Sequence, residues 1–193
     1  PLSLPDFFAA SVSAHGDRPL VDFMGREYSY AQLHREALRF AAGLQRLGIA
    51  RGDRVGLYLP NVPHYVAAYY GASIAGATLV NFSPLYTAAE LADQVADSGT
   101  RLLVTVDSAA LLPTALEVLE GSQLETLVVG SLAAQLPALK GLALRLLGRK
   151  SLTRIPAHPG VLRWDDVLAD GPPAPVAIDP MSDLALLQYT GGT

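Results

Sequence analysis

No cysteine occurs among the 193 residues, which excludes disulfides, thiolate metal sites and cysteine nucleophiles. Met24 and Met181 are the only sulfur donors left. This composition is compatible with a reducing compartment. Positive charge is also sparse: 14 Lys+Arg stand against 18 Asp+Glu, for a net charge of −4 and a pI near 5.5. A duplex nucleic-acid binder needs the opposite, a concentrated positive field, so no nucleic-acid partner is expected. Long apolar runs are missing too. The longest charge-free stretch rich in large apolar residues runs from Thr126 to Leu139, contains Gly130, Gln135 and Pro137, and is too short to cross a bilayer. These residues show no basic-then-apolar leader, so no secretory signal is expected in them and the predicted location is cytoplasmic. What is present is apolar mass. Half of the residues are hydrophobic and the mean hydropathy is +0.28, enough for one large or two small cores.

Short apolar runs alternate with amphipathic stretches through the first half. That pattern predicts an α/β fold, a predominantly parallel sheet with helices on both faces. Candidate strands are Val55–Leu59, Thr78–Phe82, Leu102–Val106, Thr126–Val129 and Leu184–Gln188. They are apolar almost throughout, as strands buried on both faces must be.

Helix boundaries are well punctuated. Ser29 and Gln32 form a capping-box pattern with Tyr28 and Leu33 as its apolar staple; Leu33, Ala37, Ala41 and Leu44 make one stripe, and Gly48 marks the end near Leu47. The same pattern returns with Thr87 and Glu90, Tyr86 and Leu91, and Gly99 as terminator. A helix from Pro63 to about Ala75 is expected after a cap at Asn61, its small residues allowing close approach to the sheet. Another is expected over Leu112–Leu119, and a small hairpin around Gly25.

Acidic residues vanish between Thr126 and Trp164, where Lys140, Arg145, Arg149, Lys150, Arg154 and Arg163 stand. The rest of the chain holds eight positive against eighteen negative charges. Two readings of this stretch stay open. Its leucines and cations would suit an anionic bilayer surface, through Lys140, Arg145, Arg149 and Lys150. Alternatively it covers the sheet and turns a basic face to water, which the interruptions at Pro137, Gly141 and Gly148 favour. The expected organisation is a sheet region over 1–130, an irregular basic insert with a Pro-rich linker over 131–175, and a strand with a truncated phosphate loop over 176–193.

The chemistry-bearing signal is the end of the chain, Tyr189-Thr190-Gly191-Gly192-Thr193 after an apolar strand. In an open α/β sheet, ligands bind beyond the carboxyl ends of the strands. Glycine backbone and threonine hydroxyls there can wrap a polyphosphate; an ordinary tight turn is the competing account. It is not a Walker A loop, for no Gly-Lys-Ser/Thr follows within the chain.

At this point the sequence resembles a family, the AMP-forming adenylate-forming enzymes, and within it the bacterial long-chain fatty-acid CoA ligases. Gln188–Thr193 is similar to the opening of their phosphate loop. Three earlier stretches agree in order: Tyr28–Leu33; Arg51-Gly52-Asp53-Arg54-Val55 followed by Leu59-Pro60-Asn61; and Ala75–Thr87 followed by Glu90-Leu91. Ser83 stands where the family pattern has asparagine. The resemblance implies ATP with Mg2+, coenzyme A as co-substrate and a fatty acid as substrate, joined through an acyl-adenylate. It implies that Thr190, Gly191, Gly192 and Thr193 embrace the departing pyrophosphate while Tyr189 positions the loop. The loop lysine, the metal-binding glutamate and the catalytic lysine of the family would lie after Thr193, so the chain alone is expected to be inactive and to hold no catalytic residue. Two other readings remain, an adenylating ligase for another carboxylic acid and a noncatalytic α/β binding module.

Weaker motifs point elsewhere only faintly. His15, His34, His64 and His158 lack a ligand spacing, so solvated or capping roles are expected. Asp165-Asp166 is read as helix-start charge. Arg51-Gly52-Asp53 is read as a turn, and Asn81-Phe82-Ser83 as no glycosylation site, since Pro84 follows. No G-x-G-x-x-G follows a strand, against a dinucleotide site.

Overall fold

A computed structural model of the chain describes residues 1–148 and 150–189. Helix α1 (Leu4–His15) precedes a hairpin of β1 (Pro19–Phe23) and β2 (Arg26–Ser29), then α2 (Tyr30–Arg46), β3 (Arg54–Leu57), α3 (Pro63–Ile74), β4 (Thr78–Asn81) and α4 (Ala88–Ser98). Next come β5 (Thr100–Val106), α5 (Leu112–Gly121), β6 (Thr126–Gly130), a 3-10 turn at Ala133–Gln135, α6 (Ala138–Leu147), β7 (Val161–Arg163), α7 (Trp164–Val167) and β8 (Leu186–Gln188).

The main sheet has the order β7-β6-β5-β3-β4-β8, and every pairing in it is parallel. From β3 the chain steps one way to β4, then back past β3 to β5 and β6. Right-handed crossovers then require α3 on one face and α4 and α5 on the other. Packing agrees: α2 and α1 lie against α3, whereas α4 lies against α5. The core is carried by Val55, Leu57, Leu79, Val80, Leu102, Leu103, Val104, Leu127 and Val128, all buried.

The punctuation acts as the sequence requires. Gln32 N–H donates to Ser29 Oγ at 3.2 Å, and Ser29 N–H donates to Gln32 Oε1 at 2.9 Å. Leu33, Ala37, Ala41 and Leu44 are buried, Gly48 sits at φ 79°, and Ile49 N–H returns to the Leu44 carbonyl. The Thr87–Glu90 box forms likewise, and Gly99 closes α4 in the left-handed conformation. Arg51-Gly52-Asp53 is the turn into β3, and Asp165 and Asp166 lie in the first turn of α7.

Beside strand β7, which lies in the stretch expected to be irregular, four features depart from the sequence reading. Helix α1 is an addition; its signature is Ser3, whose hydroxyl accepts from Asp6 N–H, with Pro5 in the first turn. The N-cap of α3 is Val62, not Asn61, and has no side-chain cap of its own. Gln135 serves instead, accepting from His64 N–H at 2.9 Å across 71 positions of sequence. The small residues of α3 also admit a helix: a Cβ on Gly71 would stand 2.8 Å from the Ala37 carbonyl oxygen of α2. Lastly, the Pro137–Gly148 stretch is a helix of ten residues, α6, with Pro137 just outside its start and Gly148 at its end. Pro137 and Gly148 bound the helix and Gly141 lies within it, so none of the three residues that favour an interruption breaks it.

Candidate functional site

The site begins where β8 ends. Leu79, Val80 and Asn81 of β4 face Leu186, Leu187 and Gln188. Just ahead of the strand, Leu79 N–H donates to the Ala185 carbonyl at 3.0 Å and Thr78 Oγ1 to the Leu184 carbonyl at 2.9 Å. These bonds carry the apolar run to the carboxyl edge of the sheet and release the chain there.

Three side chains tie that edge together. Tyr65 of α3 donates its hydroxyl to Asn81 Oδ1 at 3.0 Å, and Asn81 Nδ2 donates to Gln188 Oε1, also at 3.0 Å. Because an amide offers both a donor and an acceptor, Asn81 can link the two partners with full use of its groups. Burial raises the Tyr65 pKa, although the Asn81 bond opposes it. The phenol therefore remains a protonated donor at neutral pH.

Tyr189 turns back onto the helix layer. Its ring stacks on Phe82 at 6.2 Å between centroids and 15° between planes, and its hydroxyl donates to Asp97 Oδ2 of α4 at 2.6 Å. Burial raises its pKa, and the bond to Asp97 and that carboxylate's charge add to the rise. Tyr189 is thus a fixed, uncharged anchor. Thr190, Gly191, Gly192 and Thr193, the remaining residues expected to bind phosphate, lie outside the described residues.

The segment that follows β4 is also ordered. Leu85 N–H donates to Ser83 Oγ at 3.3 Å, Tyr86 N–H to the Ser83 carbonyl, and the Tyr58 hydroxyl to the Tyr86 carbonyl. Serine therefore supplies the side-chain acceptor at the position where the resembling family has asparagine.

Asn81, Tyr65 and Asp97 were not foreseen as part of the site. Asn81 sits inside one of the resembling segments, yet its partner is 107 positions away and no spacing announces it. Asp97 has no sequence signal at all.

Other candidates resolve structurally. His64 is neither solvated nor a cap: it is 8% exposed, lies 4.6 Å from the Trp164 ring, and burial pushes its pKa down to about 3. His158 Nδ1 accepts from Gly160 N–H in a turn. Among the described residues no group of three or more His, Asp or Glu is placed to hold a metal ion. No described helix is long and apolar enough to cross a membrane.

In an open parallel α/β sheet such as this, ligands bind beyond the carboxyl ends of the strands, the edge at which β8 ends. The chain belongs to the AMP-binding enzyme family, whose model matches residues 8–193. It is 33% identical over 196 residues to the long-chain-fatty-acid–CoA ligase of Escherichia coli O6:H1, covering 99% of this chain and 35% of that protein. Against the enzyme of that name from Bacillus subtilis it is 30% identical over 198 residues, covering 99% and 34%. Among solved structures, an anthranilate CoA ligase in complex with anthranoyl-AMP superposes with a TM-score of 0.77 at 21% identity, covering 99% of this chain and 32% of that one. The chain therefore spans about a third of the length of the relatives it matches.

Proposed function

We propose that this chain supplies one wall of the ATP site of an acid–CoA ligase acting on long-chain fatty acids. In the reaction, a carboxylate oxygen attacks the α-phosphorus of ATP, the bond to the β-phosphate breaks, and pyrophosphate leaves. The thiol of coenzyme A then attacks the acyl carbon, AMP departs, and the thiol proton is lost. The first step calls for orientation and for neutralisation of phosphate charge, which backbone and hydroxyl donors supply. Thr190, Gly191, Gly192 and Thr193 are the donors assigned to pyrophosphate, and Tyr189 is the residue assigned to position them.

The observation that carries this reading is the seating of Tyr189 between Phe82 and Asp97 directly before the Thr-Gly-Gly-Thr run. A turn without function would not need a strand end bound by Asn81 of β4, itself held by Tyr65 of α3, and by Asp97 of α4. The substrate class rests on the two curated relatives named for long-chain fatty acids. Mg2+ is assigned to the triphosphate itself and to residues beyond this chain.

The test is thioester formation by the longest protein the gene encodes, offered a series of fatty acids and aromatic acids with ATP and coenzyme A. Long-chain acids are expected to give the highest kcat/KM. An aromatic or short acid leading the series would replace the substrate class, and indifference to ATP would defeat the whole reading. The 193-residue chain alone is expected to show no ATP–pyrophosphate exchange above a heat-killed control.

A further inference from the structure

Helix α6 has its polarity reversed for a helix that faces water. Gly141 is buried, and a Cβ there would collide with the Ala133 carbonyl of the 3-10 turn. At about 100° per residue, Leu144 and Gly148 share that inward side. Leu139, Leu142 and Leu146 fall within an arc of about 60° on the opposite side. They are 83%, 54% and 61% exposed. Lys140 and Arg145 lie on either flank of this leucine face, and Lys150 follows the helix. Met24, 60% exposed, adjoins it, since Lys140 Nζ donates to the Met24 carbonyl at 2.7 Å.

A helix that covered the sheet and turned a basic face to water would point its cations outward and its leucines in. Here the leucines point out and the cations sit at the sides. That is the arrangement of a helix lying in a lipid interface, apolar face down and cationic stems reaching sideways to the headgroups.

We propose that α6 docks the protein on an anionic lipid surface, with Leu139, Leu142 and Leu146 in the acyl boundary and Lys140, Arg145 and Lys150 against headgroup phosphates. Charge chooses this occupant. No carboxylate occurs from Thr126 through Trp164, so the surrounding segment would not repel an anionic bilayer. Asp107, which feels the charge of Arg145, already accepts from Leu132 N–H at 2.7 Å. Neither signal suffices by itself: a few leucines bind weakly, and a few cations bind only at low salt. Together they make the two-part anchor that interfacial binding requires. Helix α6 follows β6, which is four positions from β8 in the sheet order, so docking there leaves the Tyr189 edge free.

The experiment is flotation of the longest protein the gene encodes with phosphatidylcholine vesicles, with and without phosphatidylglycerol, at low and high salt. Binding is expected to need phosphatidylglycerol and to be suppressed by salt. The pair Lys140→Gln and Arg145→Gln should weaken it by about tenfold or more. The pair Leu142→Ser and Leu146→Ser should weaken it by about tenfold. Both double variants should melt with the parent, because every altered side chain is exposed. The idea is overturned by equal binding to both vesicle types or by full binding of either double variant. It is also overturned if Leu142→Cys, in lipid-free protein, resists a bulky maleimide when mass is read on the peptide carrying position 142, since protein would then cover the face. A dimer dispersed by the leucine substitutions would assign the face to a second copy instead.

Discussion

The two edge strands of the sheet, β7 and β8, are equally short, three residues each, and both pair in parallel with an inner neighbour. They are held by opposite means. Strand β7 runs straight into Trp164, whose indole is 2% exposed, stacks 4.3 Å from Phe40 and donates its N–H to Glu36 at 2.8 Å. Behind it, Gly43 of α2 lies so close to the Val167 carbonyl that a Cβ would collide with it. Strand β8 has no such plug. Its residues are half-buried or exposed, and it is fixed by polar bonds from Thr78, Asn81 and, through Tyr189, Asp97. The ion pair of Arg51 and Asp183 at 2.6 Å steadies the segment ahead of it. One edge is closed by packing and serves stability. The other is pinned by directional bonds, which specify position at little net energy, and that is the edge at which Tyr189 stands.

The comparison breaks most visibly at Trp164. Trp164→Ala removes a fully buried aromatic and strands the Glu36 carboxylate, whose pKa burial already raises. A loss of about 3–5 kcal/mol is expected, a large share of a domain's stability. Leu187→Ala on β8, a half-buried side chain, should cost about 1 kcal/mol. Urea unfolding of both variants decides the matter; equal losses would mean that the two edges are held alike.

The sequence makes the interior of this sheet legible because the rules involved are local. Ser29 with Gln32, Thr87 with Glu90, and Gly48 and Gly99 each act within a few residues, so they can be read in order along the chain. The strands between them are buried on both faces and are written as unbroken apolar runs. The errors share the opposite property. Gln135 caps α3 from 71 positions away, and Asn81 meets Gln188 across 107. Along the sequence Gly141 reads as an interruption of α6, whereas its contact with Ala133 demands a residue without a side chain. Of the candidate site, the sequence alone names Tyr189, as the residue that positions the loop. Its partners Phe82 and Asp97 come from elements whose juxtaposition only the folded sheet creates.

The β7 edge should also show in acid. His64 lies against Trp164 with the rings tilted, and burial pushes its pKa down to about 3. In the unfolded chain it titrates near 6.5, so as pH falls below that value the unfolded state takes up a proton that the native state refuses. This contribution to stability is whole above the unfolded pKa. It drains as pH falls toward 3, at up to about 1.4 kcal/mol per pH unit. Glu36, 3.8 Å from His64 Nε2, acts in the other direction, because its raised pKa means that protonation relieves a buried charge. His64→Leu should therefore leave stability near neutral pH almost unchanged and flatten or reverse its decline on acidification. Urea midpoints taken between neutral and about pH 4.5 measure this. Parallel curves for parent and variant would show that His64 is not the group responsible.

The smallest energetic effect is expected at Tyr189, and there it should part company with function. Tyr189→Phe keeps the ring on Phe82 and deletes the bond to Asp97, partly open to water, and the longer 3.4 Å bond to the Gln94 carbonyl, so a loss of about 0.5–1 kcal/mol is expected. Asp97→Ala should cost the same, the double variant little more, and Asp97→Asn less, because an amide oxygen can still accept from the phenol. In the longest protein the gene encodes, both Tyr189→Phe and Asp97→Ala should raise KM for ATP while the melting temperature barely moves. A strand end pinned to place a loop fails by misplacing it, not by unfolding. If KM stays with the parent while the two substitutions still show energetic coupling, the bond is real but serves only the sheet, and β8 becomes a second structural edge like β7.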